Sequence, residues 1–433
     1  MRRNWRNMAH NSDRIRLPKR NVSREVLPNG TTFLYAPNPY NQIVAIRIYS
    51  RLASLHEKAE KAGMANLCMR LLSAGTEKHG EEEIAENLER NGAHFKAEAG
   101  KDWSNVDLLT TTYFLRDDLQ TVIELLDCPT FLEEKLTRER ELVRMSILEQ
   151  EDSRMTFTMR IFSRNFFGSH PYAWPNLGLI ETLDNIQRDD LTPFAHAAFD
   201  PSNLVVSVVG GTEKNDVQKI IRECLAARPS RNSKSVTLPP AATPAFDANK
   251  EVLVHRDSEA EYLVLGYPGP KITETSSVAL RLVSALLGGS MDSRLFREIR
   301  DKRGLCYQIG SGYSPQMDLS PLLIYAVTSP ANRAETVSCS EAEIERLKEE
   351  SIEEEELDRV KTFACGSYVM AMETNMGQAS RYGTYEMAGL GWDYANQLPD
   401  QISAVSAVDI AHAAQQFFTM RLLTITAPPE KSL

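Results

Sequence analysis

The chain changes character once, between residues 227 and 249, and the order of segments after that break repeats the order before it. Within the break, Pro-Ser-Arg-Asn-Ser-Lys-Ser leads on to Pro-Pro-Ala-Ala-Thr-Pro. Neither the 3.6-residue nor the two-residue spacing of apolar side chains is present there, so the stretch reads as a linker. Ahead of it lie a hairpin at 25–37 turning on Asn29-Gly30, and a strand at 42–50 with Val44, Ile46 and Ile48 inward and the other face wet. Helices are expected at 63–76, at 81–90 (closed by Gly92), and at 116–127, 133–154 and 215–226, with a strand at 103–114. Residues 203–211 hold the nearly continuous apolar run Leu-Val-Val-Ser-Val-Val-Gly of a central strand. Behind the linker come a strand at 262–267, an apolar helix at 276–287, Gly288-Gly289 and more helix, a strand at 322–328, a helix at 351–372 and a last strand at 422–427. Ser351 and Glu354 have the spacing of a capping box.

A length of 433 residues is long for one core. The expected division is a basic arm over 1–24, a first domain over 25–226, the linker over 227–249 and a second domain over 250–433. In the arm, Arg2, Arg3, Arg6, Arg14, Arg16, Lys19, Arg20 and Arg24 face a lone Asp13. Its sparse apolar residues suit a solvated arm, or one laid across a partner subunit, better than a mitochondrial address. No apolar run reaches the length of a membrane span, and none near the start suits a secretory signal. A bacterial cytoplasmic location is expected, with the mitochondrial matrix as the alternative. The net charge of −10 argues against general nucleic-acid binding. Six scattered cysteines without a C-x-x-C pair suit buried thiols in a reducing compartment.

One segment carries the functional argument. Residues 63–76 read Gly-Met-Ala-Asn-Leu-Cys-Met-Arg-Leu-Leu-Ser-Ala-Gly-Thr. Met64, Leu67, Cys68, Leu71 and Leu72 fall on one helical face, which makes Cys68 a packing residue rather than a nucleophile. Gly75 is placed for a left-handed stop. Asn66, Met69 and Arg70, three and four apart, share a neighbouring face. This frame, ending in Gly-Thr, resembles the zinc helix of the insulinase-like (M16) metallopeptidases, whose motif is His-x-x-Glu-His. The two His positions fall on Asn66 and Arg70, the catalytic Glu on Met69, and the family's third ligand at or beside Ser146. An amide, a cation, a thioether and a hydroxyl do not make a hydrolytic zinc site, which needs three imidazole or carboxylate donors and a general base. Glu149 adds only one carboxylate. The expectation is therefore no metal and no cofactor in this chain.

The resemblance covers almost all of residues 25–428. It implies an α+β fold: two tandem homologous domains, each an antiparallel-rich sheet packed with helices, arranged as a clam shell. In the family's edge strand that takes up substrate, Lys96 and Ala99 replace an Asn and a Thr, and His94 stands nearby as a structural or exposed residue. Phe167-Gly-Ser-His-Pro-Tyr resembles a family loop in which His170 holds the loop in position. The second half keeps what the first has lost: residues 294–307, Arg-Leu-Phe-Arg-Glu-Ile-Arg-Asp-Lys-Arg-Gly-Leu-Cys-Tyr, are similar to the family's C-terminal signature. Arg300 and Tyr307 match its substrate-binding Arg and Tyr, donors suited to charge developing on a carbonyl oxygen. The implied function is that of a metal-free subunit paired with a zinc-bearing M16 partner. It would clasp an extended peptide and have no catalytic residue of its own. Alternatives are a purely structural subunit, like the insulinase-like core subunits of the respiratory cytochrome complex, and a peptidase with a non-standard metal site.

Overall fold

The computed structural model describes residues 21–212, 216–230 and 239–429. Most of the basic arm, and 231–238 of the linker, lie outside them. The first half opens with the expected hairpin, β1 (Ser23–Val26) and β2 (Thr32–Ala36), turning through Gly30 at φ +94°. Then come β3 (Ile43–Ser50), α1 (Met64–Leu71), α2 (Glu81–Arg90), β4 (His94–Ala99) and β5 (Ser104–Thr111). Next are α3 (Leu115–Asp127), α4 (Glu133–Asp152), α5 (Arg154–Phe167), the short α6 (Ile180–Leu183), α7 (Arg188–Ala198), β6 (Leu204–Gly210) and α8 (Val217–Ala226). The sheet runs β1-β2-β6-β3-β5-β4, with the all-buried β6 in its middle, parallel to β2 and antiparallel to β3.

The second half contains β7 (Lys250–His255), β8 (Glu261–Tyr267), α9 (Ser276–Gly288), a π-helical turn (Phe296–Asp301), β9 (Cys306–Tyr313) and β10 (Leu322–Thr328). It closes with α10 (Arg333–Glu349), α11 (Glu354–Met370), α12 (Asn375–Met387), α13 (Tyr394–Ala404), α14 (Ala407–Phe417) and β11 (Leu422–Ala427). Its order, β7-β11-β8-β10-β9, is that of the first sheet without β1. Here too the last strand is parallel to the first and antiparallel to the next.

Each sheet is covered on one face by helices of its own half and on the other by a helix from the opposite half. On the first sheet, Val44, Ile46, Ile48, Val206 and Val208 pack with α1 and α3. The other face, with Leu34, Tyr49, Val205 and Val209, joins Ala379, Tyr382 and Tyr385 of α12 in one core. Tyr49 donates its hydroxyl to the Ser380 carbonyl (2.8 Å) and lies 3.0 Å from Thr384 Oγ1. In exchange, α5 lays Phe162 and Phe166 against Val264 and Leu422 of the second sheet. The expectation of a wet face on β3 is therefore wrong: Ala45 and Tyr49 are as buried as Val44 and Ile46, because a helix distant in sequence covers them.

Three local expectations also need correction. The helix of 133–154 breaks at Ser153, whose ψ of 106° is not helical, and restarts as α5. Gly75 does have a positive φ (+144°), but with ψ 158° it is an extended glycine after a 3₁₀ turn, not a left-handed stop. The box at Ser351 does not form, because α11 begins only at Glu354 with Glu353 as an extended N-cap lacking a side-chain bond. Acidic residues in that first turn still favour the helix dipole. No helix among the described residues is long and apolar enough to cross a membrane.

Candidate functional site

The start of α1 is fixed by a close approach and a buried carboxylate. Gly63 takes φ +98° against the 177–178 loop, where a Cβ would lie 2.6 Å from the Leu177 carbonyl oxygen. No side chain caps the helix from that position. Glu57 does so from six residues upstream, accepting from the N–H of Gly63 (3.0 Å) and of Ala65 (2.6 Å). These are two of the donors that a helix start leaves open. Burial pushes the Glu57 carboxyl up to about 7, and the two N–H bonds and Lys101 only partly offset it. Lys101 is held down to about 8 by its own burial, and its ammonium donates to the Trp174 carbonyl. Beside it, burial also raises Asp102, which accepts from the Tyr172 hydroxyl and, across to the second half, from the Met317 N–H (3.3 Å). His170 Nδ1 accepts from the Tyr172 N–H (3.2 Å), so this histidine shapes the loop that presents Tyr172. Sequence reasoning missed Glu57, Lys101 and Asp102, since nothing local marks a charged residue as buried.

The four residues that the resemblance maps onto the metal site, three at ligand positions and Met69 at the position of the base, have separate fates. Met69, 2% exposed, has turned into the core beside Cys68, whose thiol burial pushes up and out of thiolate chemistry. The Asn66 amide oxygen is buried without a hydrogen-bond partner among the described residues. Arg70 lies at the exposed edge of the helix, its Nε 2.9 Å from Glu139 on α4. Ser146 returns its hydroxyl to the Leu142 carbonyl of its own helix (3.0 Å). The expected alignment of Asn66, Met69 and Arg70 on one face thus divides into a buried thioether and an exposed cation. A guanidinium already paired with the nearest α4 carboxylate, beside an amide and a hydroxyl, does not fit a zinc ion. Among the described residues, no three His, Cys, Asp or Glu side chains are grouped to hold a metal. His94 and Lys96 are exposed on β4, the edge strand; Lys96 pairs with Glu98 (2.6 Å), and Ala99 is buried.

Arg300 and Tyr307 lie at the opposite end of the chain's logic, on an exposed edge. The π-helical turn carries Arg300, and its guanidinium sits 4.6 Å from the centre of the Phe296 ring. That turn is anchored to α11 by Arg294, which forks onto both Glu356 oxygens at 2.9 and 2.7 Å. Gly304, at φ +63°, ends the turn, and Tyr307 follows as the second residue of β9, the edge strand of the second sheet, 81% exposed. Burial raises the neighbouring Cys306 thiol to about 11, and the Arg300 charge draws it partly back, so the cation lies near the start of β9.

Residues 32–175 match the family model described as Insulinase (Peptidase family M16), and residues 185–363 match that described as Peptidase M16 inactive domain. An uncharacterized zinc protease of Bacillus subtilis is 26% identical over 92% of this chain and 96% of its own length. One from Rickettsia bellii is 25% identical over 93% and 96%. Two crystal structures share the fold at 22% identity: a protease from Helicobacter pylori (TM-score 0.85, covering 94% of this chain and 100% of that one) and a peptidase M16 inactive domain from Pseudomonas fluorescens (TM-score 0.86, 94% and 98%).

Proposed function

Since the chain belongs to peptidase family M16, we propose that it is the metal-free member of a two-subunit peptidase, whose zinc is held by an M16 partner. The observation that carries this reading is an asymmetry between the halves. The zinc-helix positions are occupied by Asn66, Met69, Arg70 and Ser146, with Arg70 spent on Glu139, while Arg300 and Tyr307 stay exposed at an open strand edge. Their chemistry suits donation to peptide carbonyls: the guanidinium offers a planar fork and the phenol a single O–H. An extended peptide would add to an exposed sheet edge and present its carbonyls to both donors. Zinc supplies Lewis acidity and an activated water in the partner; this chain's residues bind and orient the peptide and stabilise charge on its oxygen.

Co-expression with a His-x-x-Glu-His partner tests the reading. The chain alone cleaves no peptide; the pair does, and Arg300→Ala or Tyr307→Phe lowers kcat by about 10²-fold, the typical cost of losing one oxyanion donor. Cleavage unchanged in both variants would reject the role of the pair and leave a structural subunit. Stoichiometric zinc and cleavage by the isolated chain would reject the whole reading.

A further inference from the structure

The two sheets differ at one edge, and that difference points to self-association. In the first half, β2 is covered by β1, paired from Ser23 opposite Tyr35 to Val26 opposite Thr32. The equivalent strand of the second half, β7, ends its sheet with no strand paired to its outer edge among the described residues. Instead of folding back as a hairpin strand, the segment before it crosses α5, where the Ala245 N–H reaches the Phe166 carbonyl (2.8 Å). β7 is therefore an open edge six residues long, of the kind that recruits another strand.

We propose that this edge pairs, antiparallel and about a two-fold axis, with β7 of a second copy of the chain. Lys250 and Arg256 give their N–H groups to the Arg421 and Ala427 carbonyls. By alternation, the N–H and C=O groups of Glu251, Leu253 and His255 then point to the open side. Centring the axis on Leu253 makes all three of these residues hydrogen-bonded pairs, a register that yields about six backbone bonds. The side chains agree with it. Glu251, Leu253 (44% exposed) and His255 are exposed together on one side of β7, so Leu253 meets Leu253 of the second copy, and Glu251 meets His255 on both sides of the axis. On the other face, half-buried Val252 meets Val254 of the second copy. The outermost pair, Lys250 with Arg256, is of like charge, but Arg256 is drawn aside over the Phe157 ring, 4.3 Å from its centre. His255 already holds the Pro428 carbonyl oxygen with Nδ1 at 2.8 Å, leaving Nε2 for the carboxylate. Tyr307 is on β9, at the far edge of the same sheet, and remains free for a different partner.

Sedimentation velocity of the full-length chain, over a dilution series from high to low micromolar, tests the proposal. A reversible dimer is expected, and Leu253→Lys, which sets two ammonium groups against each other on the axis, should weaken it about tenfold or more. Glu251→Lys and His255→Glu should each weaken it, and the double variant should recover it by restoring opposite charges in this register. A monomer at every concentration, or a dimer indifferent to Leu253→Lys, overturns the proposal. Failure of the double variant to recover overturns the register. Thermal unfolding at the lowest concentration should match among the native chain, Leu253→Lys and Glu251→Lys, since those side chains are exposed in the monomer.

Discussion

The pairing of Arg70 with Glu139 has an energetic consequence for the carboxylate. Glu139 is 8% exposed, and its other cation, Arg138, lies 3.6 Å away on the solvent side. Arg70→Ala should cost about 1–2 kcal/mol in urea unfolding, because it leaves a carboxylate buried with a weaker partner; partial exposure of Arg70 keeps the figure low. The double variant with Glu139→Ala should recover part of that loss, since the stranded charge is then gone. Glu57 gives a pH signature. Its ordinary value is 4.5 and its folded value about 7, so the folded state holds the proton more tightly. Its contribution is fully present below about pH 4.5 and is lost as pH rises through about 7. Between about pH 5 and about pH 7.5 stability should therefore fall, and Glu57→Gln, which keeps one acceptor for the α1 N–H groups and never ionises, should flatten that slope. An equally steep slope in the variant would assign it to other groups, Asp102 first among them.

The exchanged helices, α5 and α12, meet the sheets through glycines. A Cβ on Gly383 of α12 would lie 2.2 Å from the Tyr49 ring, and one on Gly266 of β8 would lie 2.1 Å from the Phe162 ring. The close approach is the same in both halves, with the glycine on the helix in one and on the strand in the other. Gly383→Ala and Gly266→Ala should each destabilise by about 1–3 kcal/mol, the usual cost of overpacking a filled core, as read from denaturant midpoints. Tyr49→Phe should cost about 1 kcal/mol for its lost hydroxyl bonds. This contact also marks where the sequence stops being legible. Elements with a strong local pattern (α1, β6, the Asn29-Gly30 hairpin) were readable because hydrophobic spacing and turn residues are local signals. The second covered face of β3 was not, because its cover comes from more than 300 residues downstream; Ala45 and Tyr49 hinted at it, but Arg47 suggested water. Arg47 in fact pairs with Asp107 and donates to Ser380 of α12 (2.8 Å). For the site, the side-chain chemistry at Asn66, Met69, Arg70 and Ser146 was legible from residue types alone. The pairing of Arg70 with Glu139 was not, since it depends on how α1 and α4 cross.

For the whole molecule, the exchange means that the two halves, though separable in sequence, each leave one sheet face to be covered by the other. A first half cut off before the linker would expose Leu34, Tyr49, Val205 and Val209 where α12 had been, and a second half alone would expose Val264 and Leu422 where α5 had been. Apolar patches of that kind drive aggregation or association. The chain divided within 231–238 and expressed as two fragments should therefore give neither fragment as a stable monomer on its own. Co-expressed, the fragments should purify together through the exchanged helices and the Asp102–Met317 bond, without a covalent link. Calorimetry on the intact chain should show one cooperative transition, moved to lower temperature as a whole by Gly383→Ala. Were the halves independent, that substitution would leave the melting of the second sheet in place, and a second transition would emerge. One folding unit also suits the proposed role, in which Arg300 and Tyr307 would be held at a fixed distance from a metal in another chain, because a hinge between the sheets would blur the position of both donors.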